Sequence, residues 1–129
     1  EEPTPDYREM HDVAEAALEA ILAKVRPGTE AGELVDASGV IEDAGFTIID
    51  DLVHGYGGGY LAPVLGTASR PAATPRPPLV LKENMCLVVQ PNVTRKGGLA
   101  GVQTGHLIQV TGDGYRDLQR FPRGYQVIG

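Results

Sequence analysis

The chain has 129 residues, 42% of them hydrophobic, and a net charge of −6 with histidine neutral, long enough for one compact domain with its own core. The acidic balance and the scattered lysines and arginines exclude the clustered basic surface that phosphate backbones require, so no nucleic-acid partner is expected. The apolar run Cys86-Leu87-Val88-Val89, preceded by Met85, is strand-sized and far below the ~20 residues of a membrane-spanning helix, so no membrane partner is expected either.

The N-terminus is acidic and contains proline, unlike the basic-then-apolar start of a signal peptide. A single cysteine, Cys86, rules out an internal disulfide framework. In its apolar run it reads as a buried core thiol. A cytoplasmic location is the expectation.

Thr4-Pro5-Asp6 supplies cap chemistry for a first helix. Met10, Val13, Ala14, Ala17, Leu18, Ile21, Leu22 and Val25 then recur at helical spacing. Arg26-Pro27-Gly28 stops that helix, and Thr29 is expected to cap a second. The second carries Ala31, Leu34, Val35 and Ile41 on its apolar side and ends at Gly45. Phe46-Thr47-Ile48-Ile49 is a short strand candidate, followed by the glycine-rich stretch from His54 to Tyr60. Residues 66–78 carry Pro71, Pro75, Pro77 and Pro78 and are expected to form an extended loop. Residues 86–90 and 101–111 read as strands, and Gly112-Asp113-Gly114 turns the latter into a hairpin with residues 115–121. Helices followed by strands predict an α+β domain, two helices packed on one face of a mainly antiparallel sheet.

Local motifs give little chemistry. The glycine cluster has no Gly-Lys-Ser/Thr after it, and the sixth place of a Gly-x-Gly-x-x-Gly starting at Gly55 is Tyr60, against phosphate binding. No Gly-x-Ser-x-Gly elbow is present. His11, His54 and His106 are far apart and form no His-x-x-x-His pair; His11 reads as a surface histidine. His54 stands out because the following glycines let backbone approach closely, as where a ligand crowds the chain.

Taken in order, several segments resemble the C-terminal half of the pita-bread family of creatinase, Xaa-Pro dipeptidase and methionine aminopeptidase. Val25-Arg26-Pro27-Gly28-Thr29 resembles that family's helix–Lys-Pro-Gly–helix junction, and Gly45-Phe46 its Gly-aromatic step. His54-Gly55-Tyr56-Gly57 resembles its Gly-His-Gly-x-Gly motif, with Val53 in place of the first glycine, and Pro63 ends its His-Glu-x-Pro segment. Residues 81–91, ending Gln90-Pro91, resemble its Leu-x-x-Gly-Met…Glu-Pro strand; Gly101-Val102-Gln103-Thr104-Gly105 resembles its Gly-Val-Arg-Ile-Glu strand. The tail from Val110 to Gly114, and then Leu118, fits as well.

The resemblance implies half of a pita-bread fold with a curved sheet, residues 1–129 being the C-terminal portion of a creatinase/aminopeptidase-like catalytic domain. Active members of the family hold two metal ions with two Asp, one His and two Glu, which activate a bridging water. Here the histidine is kept as His54, but the two Glu positions are Gln90 and Gly105, and Leu61 replaces a substrate-facing histidine. The two Asp ligands would lie upstream. Because side chains alternate along a strand, His106 is expected to face away from Gly105 rather than replace its carboxylate. The expectation is therefore a fold without a dinuclear metal site and without peptidase activity in the isolated chain. His54 would be both the retained metal-ligand position and a catalytic acid or base, with Tyr60, Gln90 and Gly105 lining a site for a small molecule or peptide. No cofactor is expected, or divalent Mn, Co or Zn if a longer protein completes the site. The alternatives are a metal-dependent Xaa-Pro peptidase completed in that way and a non-catalytic binding domain. Expected partners are the N-terminal half of the same protein or a second copy of the chain, unless the proline-rich loop covers the exposed seam.

Overall fold

The computed structural model describes residues 2–72 and 78–129; Pro75 and Pro77, and with them the middle of the expected loop, lie outside the described residues. Helix α1 (Pro5–Leu22) begins where the Thr4 side chain accepts the Tyr7 N–H at 3.4 Å. Met10, Ala14, Ala17, Leu18, Ile21 and Leu22 form its buried stripe, as their spacing predicts, because three- and four-residue steps fall on one helical face. Val13 packs at the margin of that core.

The second expected helix is two short ones, α2 (Ala31–Ala37) and α3 (Val40–Asp43). Ser38-Gly39 interrupts it: the Ser38 hydroxyl turns back onto the Val35 carbonyl at 2.6 Å, a local bond that competes with helix continuation. Thr29 is not the cap. Its hydroxyl bonds the Lys24 carbonyl at 2.6 Å, and the cap position is Glu30, whose N–H donates to the Glu33 carboxylate at 3.0 Å.

The main sheet has the order β2-β1-β3-β6-β7, every neighbour antiparallel: β1 (Val53–Tyr56), β2 (Tyr60–Leu65), β3 (Cys86–Val89), β6 (His106–Val110) and β7 (Tyr115–Asp117). β4 (Asn92–Thr94) and β5 (Gly101–Gln103) form a separate pair. Residues 101–111 are thus two strands in two sheets, divided at Thr104-Gly105, where the Thr104 N–H bonds the Pro91 carbonyl and its hydroxyl bonds Glu15 of α1. The expected strand at Phe46–Ile49 reduces to one bridge, Thr47 to Thr94. The β6–β7 hairpin forms, although β7 is shorter than expected.

Helix α1 packs on α2, α3, β3, β4 and β5. Alternation along the strands gives the main sheet two faces. Val53, Leu65, Leu87, Val89, Ile108 and Val110 turn into the core, whereas His54, Val88 and Leu107, paired in one row across β1, β3 and β6, occupy the opposite face. The fold is α+β, helices on one side of a mainly antiparallel sheet. Cys86 is half-buried rather than a core thiol, because it points to the second face. His11 is half-buried too, edge-on to the Tyr125 ring at 4.9 Å.

Candidate functional site

The glycine-rich stretch forms the end of β1, the turn and the start of β2 in a β-hairpin. The register shifts between His54 and Gly55. A Cβ at Gly55 would lie 2.3 Å from the Ala62 carbonyl oxygen, so only glycine lets the two strands approach there. The shift sets the Tyr60 ring on the His54 ring, centroids 4.1 Å apart and planes 20° from parallel. His54 is 7% exposed, and its Nδ1 lies 3.0 Å from the Gly55 carbonyl. A carbonyl only accepts, so we assign the proton to Nδ1; the neutral ring then carries its lone pair on Nε2.

A residue that the sequence reading missed organises the rest. Asp51 is 7% exposed. One carboxylate oxygen accepts the Tyr60 hydroxyl, and the other accepts the Gln90 Nε2 at 3.3 Å. Tyr60 and Gln90, singled out with His54, are therefore brought together through a carboxylate. The Tyr60 phenol is pushed above its ordinary range, by desolvation first and then by the Asp51 carboxylate that accepts its proton. With the residue as a whole 56% exposed, solvent moderates the desolvation and leaves the bond to Asp51 as a strong cause beside it. The phenol stays a donor.

Asn92 holds Asp51 in place. Its side-chain oxygen accepts the N–H of Ile49 at 2.7 Å and of Asp50 at 3.1 Å, and its Nδ2 donates to the carbonyls of Asp50 at 3.2 Å and Asp51 at 3.0 Å. One buried amide thus uses all its hydrogen-bonding capacity on a three-residue turn. Beside that turn opens a cleft of about 400 Å³ bordered by Ile48, Asp50, Asp51, Tyr60, Val64 and Arg70, among others.

Gly105 lies beside Gln90, and the two border a second cleft with Val88 and Leu107. A Cβ at Gly105 would sit 2.8 Å from the Val89 carbonyl oxygen and 3.0 Å from Gln90 Cα, so a side chain does not fit without backbone movement. His106 goes to the core face opposite Val89, 6% exposed, with Nδ1 3.0 Å from Asp117 on β7. Leu61 is half-exposed on β2. Among the described residues no three His, Cys, Asp or Glu side chains come together as a metal ion would need.

Residues 1–112 match metallopeptidase family M24. The chain belongs to that family. An Xaa-Pro dipeptidase of Lactobacillus delbrueckii subsp. lactis is 29% identical over 130 residues, a match covering 98% of this chain and 33% of that protein. The prolidase of Pyrococcus furiosus superposes with a TM-score of 0.78 at 24% identity, over 95% of this chain and 35% of that one. The methionine aminopeptidase of Rickettsia prowazekii gives 0.71 at 24% identity, over 90% and 53%. These structures establish the pita-bread fold, and the chain spans about a third of the length of the dipeptidase it matches. Against the M24 metal-ligand pattern given above, the residues present do not fit a two-metal centre: His54 is a lone imidazole, the Gln90 amide is turned to Asp51, and position 105 carries no side chain.

Proposed function

We propose that this is a degenerate M24 domain whose retained histidine face handles a small polar ligand without a dinuclear metal centre and without peptidase activity in the isolated chain. The observation that carries the reading is Gly105, which has no side chain to offer a metal and where an added Cβ would meet the Val89 carbonyl oxygen at 2.8 Å. His54 supplies a lone pair on Nε2 for accepting a proton from the ligand. The Gln90 carbonyl oxygen remains available as an acceptor while its amide nitrogen holds Asp51, and Tyr60 shields one face of the imidazole. Gly105 contributes close packing rather than a contact group. We further propose that the domain works with the N-terminal half of the same protein or with a second copy of itself. No described helix is long and apolar enough to cross a membrane; separately, we propose a cytoplasmic location.

Calorimetric titration of the purified chain with Mn²⁺, Co²⁺ and Zn²⁺, beside an assay on Xaa-Pro dipeptides, tests the reading. The expected result is no saturable submicromolar site and no cleavage above background. A submicromolar site lost in His54→Ala, or metal-dependent cleavage, would overturn it.

One observation favours a second reading: the match to the Xaa-Pro dipeptidase covers only 33% of that protein, so a longer chain has room for further ligands. In that case the longer protein is a metal-dependent Xaa-Pro peptidase, and its bound metal content and hydrolysis rate distinguish it from the first.

A further inference from the structure

We propose that the cleft bordered by Asp51 binds a small monovalent organic cation, an alkylammonium or guanidinium group. The inference goes beyond the reading above and stands or falls without any action of His54. Burying a carboxylate is costly unless its charge is answered. Asp51 is 7% exposed, yet its two bonded donors, the Tyr60 hydroxyl and the Gln90 amide, are both neutral. Among the described residues the ion pairs of Lys and Arg lie elsewhere, at Arg8–Glu2 and at Arg95 with Asp6 and Glu9. Among the described residues each carboxylate oxygen of Asp51 has one side-chain donor and accommodates two.

The carboxylate borders a cleft of about 400 Å³, in the range of small-ligand sites. Asp50 adds a second negative group at its rim, and Ile48, Val64 and Pro71 give it apolar walls. The four bonds of Asn92 fix the turn in advance, so little ordering is needed on binding. A hard divalent ion takes six or more oxygen ligands, and the described side chains do not provide them. An ammonium or guanidinium needs only the two free acceptor positions and a wall for its hydrocarbon part. Arg70 also borders the cleft and opposes any cation there, a multiply charged guest most.

The probe is n-butylammonium chloride, followed by ¹H–¹⁵N NMR, with 1-pentanol as the neutral comparator of like length. Saturable shifts are expected at the Asp51 and Tyr60 amides and at the Gln90 side-chain amide, with 1-pentanol at least ~10-fold weaker, as fits loss of a charge-assisted bond. Asp51→Asn keeps the shape and removes the charge; it should weaken binding at least ~10-fold, the same spectra reporting whether the fold is kept. Tyr60→Phe removes one competing donor and should leave binding equal or tighter. Equal binding of 1-pentanol, undiminished binding by folded Asp51→Asn, weaker binding by Tyr60→Phe, or tighter shifts with Ca²⁺ at the same residues would each overturn the proposal. The metal titration and peptide assay above fail or succeed independently of these outcomes.

Discussion

The two faces of the main sheet are built from the same strands and follow different rules. On the core face Val53, Leu87, Val89 and Ile108 are at most 1% exposed and pack among themselves and the helices. On the other face, which also carries Val88 and Leu107, His54 is joined through Tyr60 and Asp51 to Gln90 by ring stacking and hydrogen bonds. One face is specified by volume, the other by direction. Substitutions on the first should therefore register in stability, and those on the second mainly in ligand binding.

The largest expected effect is on the core face. Ile108→Ala should cost ~2–5 kcal/mol, the range for emptying a well-packed aliphatic site, whereas Leu107→Ala, one residue on and half-buried, should cost clearly less. Urea denaturation of the pair measures the contrast, and equal losses would erase the distinction between the faces. Next is Gly105→Glu. With the Val89 carbonyl oxygen 2.8 Å from the new Cβ, it should destabilise by about 3 kcal/mol, the upper end for overpacking, and should create no metal site. A thermal melt and a Mn²⁺ titration of that variant check both statements. Asn92→Ala removes four bonds from the Ile49–Asp51 turn and should cost about 2 kcal/mol; hydrogen exchange should show the Ile49 and Asp50 amides losing protection first.

The smallest effect concerns acid. The Glu42 carboxyl is held below its ordinary range, chiefly by the Ser69 hydroxyl and then by Thr67. A depressed carboxylate stabilises fully above its unfolded pKa, near ~4.3, and loses that contribution as pH falls through its folded value. The stability difference between the wild type and Glu42→Gln should therefore shrink between pH 6 and pH 3. It should stay under ~1 kcal/mol, since the pair is open to solvent. Chemical denaturation at stepped pH measures it, and a difference independent of pH would remove Glu42 from the account.

The core face was largely legible in the sequence. The α1 stripe and the Cys86–Val89 strand follow from periodicity, because burial imposes a regular spacing. The second face was legible by residue but not by geometry. His54, Tyr60 and Gln90 were singled out through family resemblance, yet the carboxylate that joins Tyr60 to Gln90 was not. Asp50-Asp51 looks like a polar turn, and nothing in two adjacent aspartates says which one turns inward; that depends on Asn92, about forty residues away in the chain. The β1–β2 hairpin was hidden because three successive glycines, Gly57 to Gly59, mask the alternation that marks a strand. The break at Thr104-Gly105 was hidden because Thr104 is tied to Pro91 and Glu15, contacts set by tertiary structure. Ser38-Gly39 is a case in which a local signal for ending a helix was present and was read through.

The close approach of β6 to β3 at Gly105 also constrains the order in which this scaffold can be changed. An engineer seeking a two-metal centre would begin with Gln90→Glu, the change closest in shape. That step sets a second carboxylate against Asp51 where an amide now donates, and like charges at such a distance repel. Beginning at position 105 instead meets the Val89 and Gln90 backbone. Each single step runs uphill, so the two replacements and a shift of the strand end have to arrive together.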